Sequence, residues 1–352
     1  MYYDLAIIGA GPAGATLARL VGEKYKVLLI DRRDLVSPKQ GLFEKCCGGL
    51  IAPDAQKMLA KLSLGVPKEV LTGPQLFAVR TLDLRNKLER YYQRHYINIS
   101  REKFDRWLVS AIPPSVDFRQ GLFRLYSQEQ GKLQVHFSSQ GKEHSAWCKY
   151  LVGADGACST LRRQVAPELR PRAYVAIQEW FQCQNPQPYF SAIFDPEISE
   201  FYSWTIPKEN RLIVGAALDP EDNPAAKFSL LLEKLKSRGF DLGGSVKKNG
   251  AFILRPRQSE LFVGRGNIAF IGEAAGWISP TSAEGLSYAF ESAVALAESL
   301  KREPKVVREY RKKSGKLKSK LFLKHLKAPF MYNSVLRKAV MNSGLLSIEI
   351  YK

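Results

Sequence analysis

The sequence predicts an α/β protein in which a Rossmann-like dinucleotide-binding domain is interrupted by an inserted mixed β-sheet domain and followed by a C-terminal helical tail. Three observations predict it. A glycine-rich strand–turn–helix opens the chain, two later apolar strands each run into Gly and an acid, and strands rich in aromatic and β-branched residues lie between those two. A length of 352 residues agrees with two domains sharing one chain.

The opening element is "YYDLAIIGAGPAGATLARLV". An apolar run, Leu5 to Ile8, breaks at Gly9, and Ala15, Leu17, Ala18, Leu20 and Val21 continue at spacings a helix accepts. Gly9, Gly11 and Gly14 form GxGxxG where the motif needs it. The first turns the chain, the second admits a diphosphate against the backbone, and the third packs helix on strand. With Pro12 and Ala13 between them, these residues are the expected phosphate cradle, at a helix N-terminus whose free N–H groups favour an anion. A second strand, 26–30, runs into Asp31, 22 residues after Gly9, as expected of a carboxylate that accepts from ribose hydroxyls. An acid there fits FAD or NAD, while Arg32 and Arg33 keep NADP open.

The stretches "YLVGADGACSTLRRQV" and "NIAFIGEAAGWISPTSAEGLSYAF" settle the choice by resemblance. They resemble the second and third signatures of FAD-dependent oxidoreductases of the p-hydroxybenzoate hydroxylase type, in Gly153, Ala154, Asp155, Gly156, Ser159 and Arg162, and then in Gly272, Glu273, Ala274, Ala275, Gly276, Pro280, Glu284 and Gly285. Before them, "ISREKFDRWL" is similar to that family's helix carrying an arginine towards the flavin, Arg101, with Asp105 one turn on. The resemblance implies FAD as cofactor, with further contacts at Leu122 and Leu286. Glu273 departs from the family's usual Asp by one methylene, so either the loop or the contact must shift. The motif order implies an FAD domain built from 1–70, 98–170 and 258–300, a substrate domain from 71–97 and 171–257, and a basic helical segment at 301–352. In the substrate domain "YFSAIF", "FYSWTIP" and "RLIVGAAL" read as strands, and Phe228 to Arg238 as a charged amphipathic stretch.

"KCCGGL" sets Cys46 and Cys47 before Gly48 and Gly49. The pattern resembles the Cys-Gly-Gly turn of the geranylgeranyl reductase family, which implies cofactor and cavity contacts at Cys47, Gly48 and Gly49. Both glycines are then expected to clear a flat ring where a Cβ would collide. Plain packing and a redox pair are the other readings, and Cys47 is the one catalytic candidate, as proton donor or as gate. "FYSWTIPK" is similar to the same family's Tyr-x-Trp-x-Phe-Pro motif, with Ile206 in place of Phe. Tyr202 and Trp204 share a strand face. Periodicity alone makes them sheet core; the resemblance makes them, with Pro207, the wall of the substrate cavity.

The five cysteines form no CxxC and no metal-ligand cluster, and no leader-like segment precedes the first strand, so the expectation is a reducing cytoplasm and no metal. Of the formal charge of +19, residues 301–352 carry +12, with 15 Lys and Arg against 3 Glu. There Leu317, Leu321, Phe322, Leu326 and Phe330 stand at helical spacing among lysines. Such a helix reads as an element lying on an anionic membrane, peripheral on the inner face, or as a solvated helix packed on the FAD domain. Nucleic acid is not expected, because no binding fold accompanies the charge. The reductase resemblance implies an oxidoreductase that saturates carbon–carbon double bonds of a prenyl-type lipid, with electrons from an external donor, NAD(P)H or ferredoxin. A flavin monooxygenase or halogenase, or a membrane flavoprotein that relays electrons or binds, are the alternatives.

Overall fold

Leu5 to Ile8 are buried on both faces of their strand, as a parallel strand covered by helices must be. In the computed structural model, which describes residues 1–37 and 45–351, this strand, Tyr2–Ile8, lies between Val27–Asp31 and Lys142–Gly153 and runs parallel to both. Ile268–Phe270 extends the parallel sheet on one side and Asp117–Gln120 on the other. The short strand Gly264–Arg265 and the hairpin Leu122–Glu129/Lys132–Ser139 add antiparallel pairings. Ile8 pairs with both Ile30 and Gly153, so the first glycine turn, Asp31 and the Ala154–Ser159 loop emerge together at the carboxyl edge. That edge is where open α/β sheets receive ligands.

The second sheet has nine strands. Its order is Ser245–Leu254, Ala173–Gln182, Arg211–Leu218, Ser203–Lys208, Tyr189–Phe194, Leu76–Asp83, Leu88–Asn98 and Ser347–Ile348, with Leu50–Ile51 also on Leu88–Asn98. Only the Tyr189–Phe194/Leu76–Asp83 pairing is parallel among those described, so the sheet is mixed. One face is covered by the helix Pro224–Lys236, which buries Phe228, Leu231 and Leu235 completely. The other carries an aromatic cluster of Tyr174, Phe194, Phe201, Tyr202 and Trp204, against which Met331 and Tyr332 of the tail pack.

Three helices form the tail: Val306–Lys313, Gly315–Tyr332 and Ser334–Ser343. It is anchored at both ends. The buried Tyr310 hydroxyl donates to Phe270 O (2.9 Å) and accepts from Trp277 Nε1 (3.2 Å) in the first domain. At the far end the Arg337 guanidinium pairs with the buried Asp83 of the second sheet at 2.7 Å. The chain then returns as the edge strand Ser347–Ile348, so the basic segment is a strap across both sheets.

Candidate active site at the junction of the two sheets

The three glycines of the first turn do different work. Gly9 has φ +102°, and a Cβ there would stand 2.5 Å from Ala154 O. A Cβ on Gly14 would stand 1.8 Å from Gly9 O. Packing forbids side chains at both. At Gly11, by contrast, the nearest atom is an Arg33 nitrogen at 4.0 Å, so the protein itself leaves this position open. Gly11 is also the N-cap of the helix Pro12–Val21, whose first turn has no side-chain cap, while Pro12 and Ala13 are buried beneath it. Across the edge, Gly156 (φ +77°) has nothing within 4 Å. Asp155 accepts from Thr160 N (2.8 Å) and Leu161 N (3.3 Å) through Oδ2, in the first turn of the helix Thr160–Val165 that Ser159 caps; its buried Oδ1 has no hydrogen-bond partner among the described residues. Open backbone, an uncapped helix and an orphaned carboxylate oxygen fit a dinucleotide diphosphate and its sugars.

Asp31 lies at the expected place, but its oxygens are occupied. Oδ2 accepts from Ala10 N (2.7 Å) and Arg33 Nη2 (3.0 Å), and Oδ1 accepts from Arg33 N (2.8 Å) and Nε (3.0 Å). Arg32 points to solvent. Leu122 is 42% exposed and follows Gly121, whose N–H donates to Asp31 O at 2.8 Å, which places it beside the end of that strand. From Arg33 the charges continue inward. Arg33 Nη1 reaches Asp105 Oδ2 at 2.7 Å, Asp105 Oδ1 accepts from Arg101 Nη2 at 2.9 Å, and Arg101 Nη1 donates to Cys47 Sγ at 3.1 Å. Burial works against the Asp105 carboxylate, yet Arg101 and Arg33 offset it and hold the group at about 2.

The tandem cysteines part company at this point. Burial opposes the Cys47 thiolate, but the Arg101 charge, the Gly49 backbone N–H and Lys45 bring the net direction below an ordinary thiol. Cys46 faces Gln178 Oε1 (3.4 Å) and Ala176 O (3.7 Å), and burial together with the Cys47 charge pushes it up to about 12. Both are free thiols. The glycines that follow meet close protein neighbours. A Cβ on Gly48 would stand 2.3 Å from Ile206 Cδ1, and one on Gly49 (φ +63°) would stand 2.3 Å from Ile99 O. Close protein neighbours alone already require glycine at 49, and at 48 the nearest atom is the end of the Ile206 side chain.

Lys208 closes the FYSWTIPK stretch, where no motif assigns it a role. It is 4% exposed, and its ammonium donates to Ile99 O (2.8 Å), Gly49 O (3.1 Å) and Asn98 Oδ1. Asn98 in turn donates to Pro207 O and Pro74 O, both at 2.9 Å. Burial lowers Lys208 to about 7, with the Cys47 charge opposing and Arg101 reinforcing that shift. Its signal was register: Tyr202, Trp204, Ile206 and Lys208 alternate onto one strand face. Cys47, Arg101, Gln178, Trp180 and Lys208 line one cavity of about 100 Å³.

On the opposite side stands the third glycine-rich stretch. Gly272 (φ +57°) would clash with Ala13 through a Cβ at 2.9 Å, and Gly276 (φ +85°) closes the turn with its N–H on Glu273 O. The longer Glu273 reaches Leu254 N with Oε1 at 2.9 Å, so the carboxylate joins the two domains. Pro280 O accepts from Arg255 Nε at 3.1 Å, and Gly285 caps the helix Leu286–Leu300, whose first residue, Leu286, is buried. The Tyr202 hydroxyl donates to Ser282 O at 2.8 Å, its ring 5.4 Å from that of Trp204. The indole lies on Gly215, where a Cβ would stand 2.3 Å from it. Pro207 is buried in the same strand. Among the described residues no cluster of His, Cys, Asp or Glu is arranged for a metal.

This fold and this cradle define an FAD-binding protein of the p-hydroxybenzoate hydroxylase type. A family model described as an FAD binding domain matches residues 57–231. The chain belongs to the CbrA family: it is 41% identical over 354 residues to Protein CbrA of Escherichia coli strain K12, spanning 100% of this chain and 99% of that protein, and 42% identical to Protein CbrA of Escherichia coli O157:H7. Among solved structures it resembles a geranylgeranyl bacteriochlorophyll reductase-like protein from Thermoplasma acidophilum, with a TM-score of 0.81 at 18% identity over 94% of this chain and 87% of that one. It also resembles the flavin-dependent halogenase CmlS (TM-score 0.70, 16% identity, 92% and 63% of the two chains) and the flavin-dependent brominase Bmp2 (0.67, 18%, 97% and 93%). At these identities the likeness is one of fold. The FAD-binding match together with the open cradle at Gly11 identifies FAD as the cofactor.

Three outcomes follow from the site. Gly14→Ala should cost about 2–3 kcal/mol in urea unfolding through overpacking, whereas Gly11→Ala should unfold like the parent and lose FAD affinity at least about tenfold. Arg101→Gln should raise the pH at which Cys47 reaches half its alkylation rate by about one unit or more, read by peptide mass so that Cys158 does not interfere. Because the folded pKa of Lys208 lies below its unfolded value, the native state binds fewer protons between about pH 7 and 10.5. Its contribution to stability therefore rises with pH across that window, by up to a few kcal/mol. Comparison of unfolding at pH 7 and 10 should show that rise in the parent and not in Lys208→Met.

Proposed function

We propose that the protein reduces carbon–carbon double bonds of a prenyl-type chain, drawing electrons from an external donor. The observation that carries this reading is the aromatic face of the second sheet. Tyr174, Phe194, Phe201, Tyr202 and Trp204 are buried, and Met331 and Tyr332 of the tail pack over them. Such a face suits an apolar chain and keeps water from a reacting carbon. The T. acidophilum protein named as geranylgeranyl bacteriochlorophyll reductase-like supports the same choice. Bound FAD, once reduced, supplies the hydride.

The chain's own part is to complete the addition with a proton. Cys47 is the proposed donor. Its thiol gives the proton to the carbon next to the one that gains hydride, and Arg101, 3.1 Å from Sγ, stabilises the thiolate left behind. Lys208, lowered to about 7 and lining the same cavity, is a local source for returning that proton. The halogenase alternative calls for a lysine presented to the substrate. Lys208 ends the strand that carries Trp204 and Pro207, but its ammonium is directed at Gly49 O, Asn98 Oδ1 and Ile99 O. The halogenase reading is therefore the weaker.

Holoprotein reduced with dithionite under anaerobic conditions and mixed with a geranylgeranyl lipid is expected to recover oxidised flavin absorbance. The lipid should gain two hydrogens per bond reduced, and Cys47→Ala should slow the step by about a hundredfold. Flavin that stays reduced with the lipid and reoxidises only in air would overturn the reading in favour of oxygen-dependent chemistry.

A further inference from the structure

The helix Gly315–Tyr332 has two apolar faces, of which the fold uses one. Leu317 and Leu321 are 3% and 1% exposed and belong to the core of the FAD domain. Phe322, Leu323, Leu326 and Phe330 are 51–58% exposed and, by helical periodicity, fall on the opposite side. A structural helix has no need of two phenylalanines and two leucines in water on its outer face. Beyond the helix the same character continues at Leu345 and Leu346, 66% and 82% exposed.

Charge identifies the occupant. Lys316, Lys320, Lys324 and Lys327 lie along one flank of the apolar stripe, where with Lys312 they line a groove of about 760 Å³. Lys318 lies on the other flank. The carboxylate lining the groove, Asp54, pairs with Lys320 at 3.2 Å and Glu291 pairs with the same lysine at 2.7 Å, so the lysines offered to an anionic surface are chiefly Lys316 and Lys327, both exposed. A second copy of this chain is a poor occupant, because a two-fold contact through this face would set lysine against lysine. We propose that the outer face of this helix is a docking surface for an anionic lipid bilayer. Phe322, Leu323, Leu326 and Phe330 enter the acyl boundary, and the flanking lysines meet acidic headgroups.

The position of the helix gives the docking a consequence. Its last residues, Met331 and Tyr332, pack on the aromatic cluster of the second sheet, and the Tyr332 hydroxyl donates to Thr281 O at 2.6 Å. A bilayer on the outer face therefore lies against the element that closes the aromatic face. Docking itself does not depend on the reductase reading, since the lipid that binds the surface need not react.

The test is flotation of the FAD-loaded full chain with extruded vesicles, either pure phosphatidylcholine or containing about 30% phosphatidylglycerol. Binding should favour the anionic vesicles at least about tenfold and weaken with salt. Leu326→Asp with Phe330→Asp should abolish it, while Lys316→Glu with Lys327→Glu should remove the preference for anionic lipid. Both pairs are surface changes, so flavin content and thermal midpoint should match the parent. Two results would overturn the proposal: equal flotation of the aspartate pair and the parent, or no vesicle binding by a holoprotein that sediments as a dimer and is made monomeric by Phe330→Asp. Neither result bears on anaerobic turnover of a detergent-dispersed prenyl lipid, so failure here and failure of the reductase reading are distinguishable.

Discussion

A buried line of charge, Asp31–Arg33–Asp105–Arg101, ending on the Cys47 sulfur, organises the site. Two guanidinium groups and two carboxylates alternate along it, and none of the four residues is more than 16% exposed. Taking such groups out of water is costly, and the arrangement holds because each carboxylate bridges two donors instead of facing one. Removing a single member would strip each neighbour of one of its two partners in a buried place, a larger loss than an exposed pair would suffer. The line also joins three separate pieces of chain: the end of the second strand, the helix Arg101–Ser110 and the cysteine turn. Cys47 is the terminal acceptor, so its ionisation depends on how fully Asp105 neutralises Arg101.

A second network fixes where that sulfur stands. Lys208 ties the Gly49 carbonyl to Ile99 and Asn98, and Asn98 ties the same point to Pro74 and Pro207. Gly48 and Gly49 have no side chains because Ile206 and Ile99 fill the space. The turn is thus clamped by the second sheet while its thiol is held by the helix Arg101–Ser110. Across the junction the longer Glu273 does a comparable job from the other side, linking the third glycine-rich loop to Leu254. The site is a property of the junction, and either sheet alone would lack half of its positioning contacts.

Local pattern explains what was legible in the sequence. The GxGxxG turn, the strands flanking it and the aromatic strands of the second sheet are set by short-range periodicity, and they stand where those patterns put them. Tyr202 and Trp204 share a face as alternation requires, and Gly215 is the space the indole needs. What was illegible depends on contacts between distant segments. Arg101 and Cys47 are 54 residues apart and Lys208 and Gly49 are 159 apart. No spacing rule connects them. Asp31 shows the limit from the other side: the motif identified the position, but Arg33, two residues on, takes up oxygens that the motif assigns to a ribose. The glycines after Cys47 were read from the need for clearance, and the protein neighbours that add to that need, the Ile206 side chain and the Ile99 carbonyl, come from segments no local pattern connects to the turn.

The tail shows how one periodic pattern can serve two surfaces. Leu317, Leu321, Phe322, Leu326 and Phe330 look like a single apolar set at helical spacing, yet an intervening step of one residue, Leu321 to Phe322, rotates the series by about 100°. The first two residues therefore fall on the core side and the rest turn away from it. With Tyr310 and Trp277 at one end and Arg337 on Asp83 at the other, the strap cannot rotate to hide its outer face without breaking buried contacts. The helix packs on the FAD domain through Leu317 and Leu321, and that packing by itself leaves its outer face uncovered. The buried face fixes the orientation that leaves the other face in water, and a pinned apolar face in water is a standing cost that only a partner can remove.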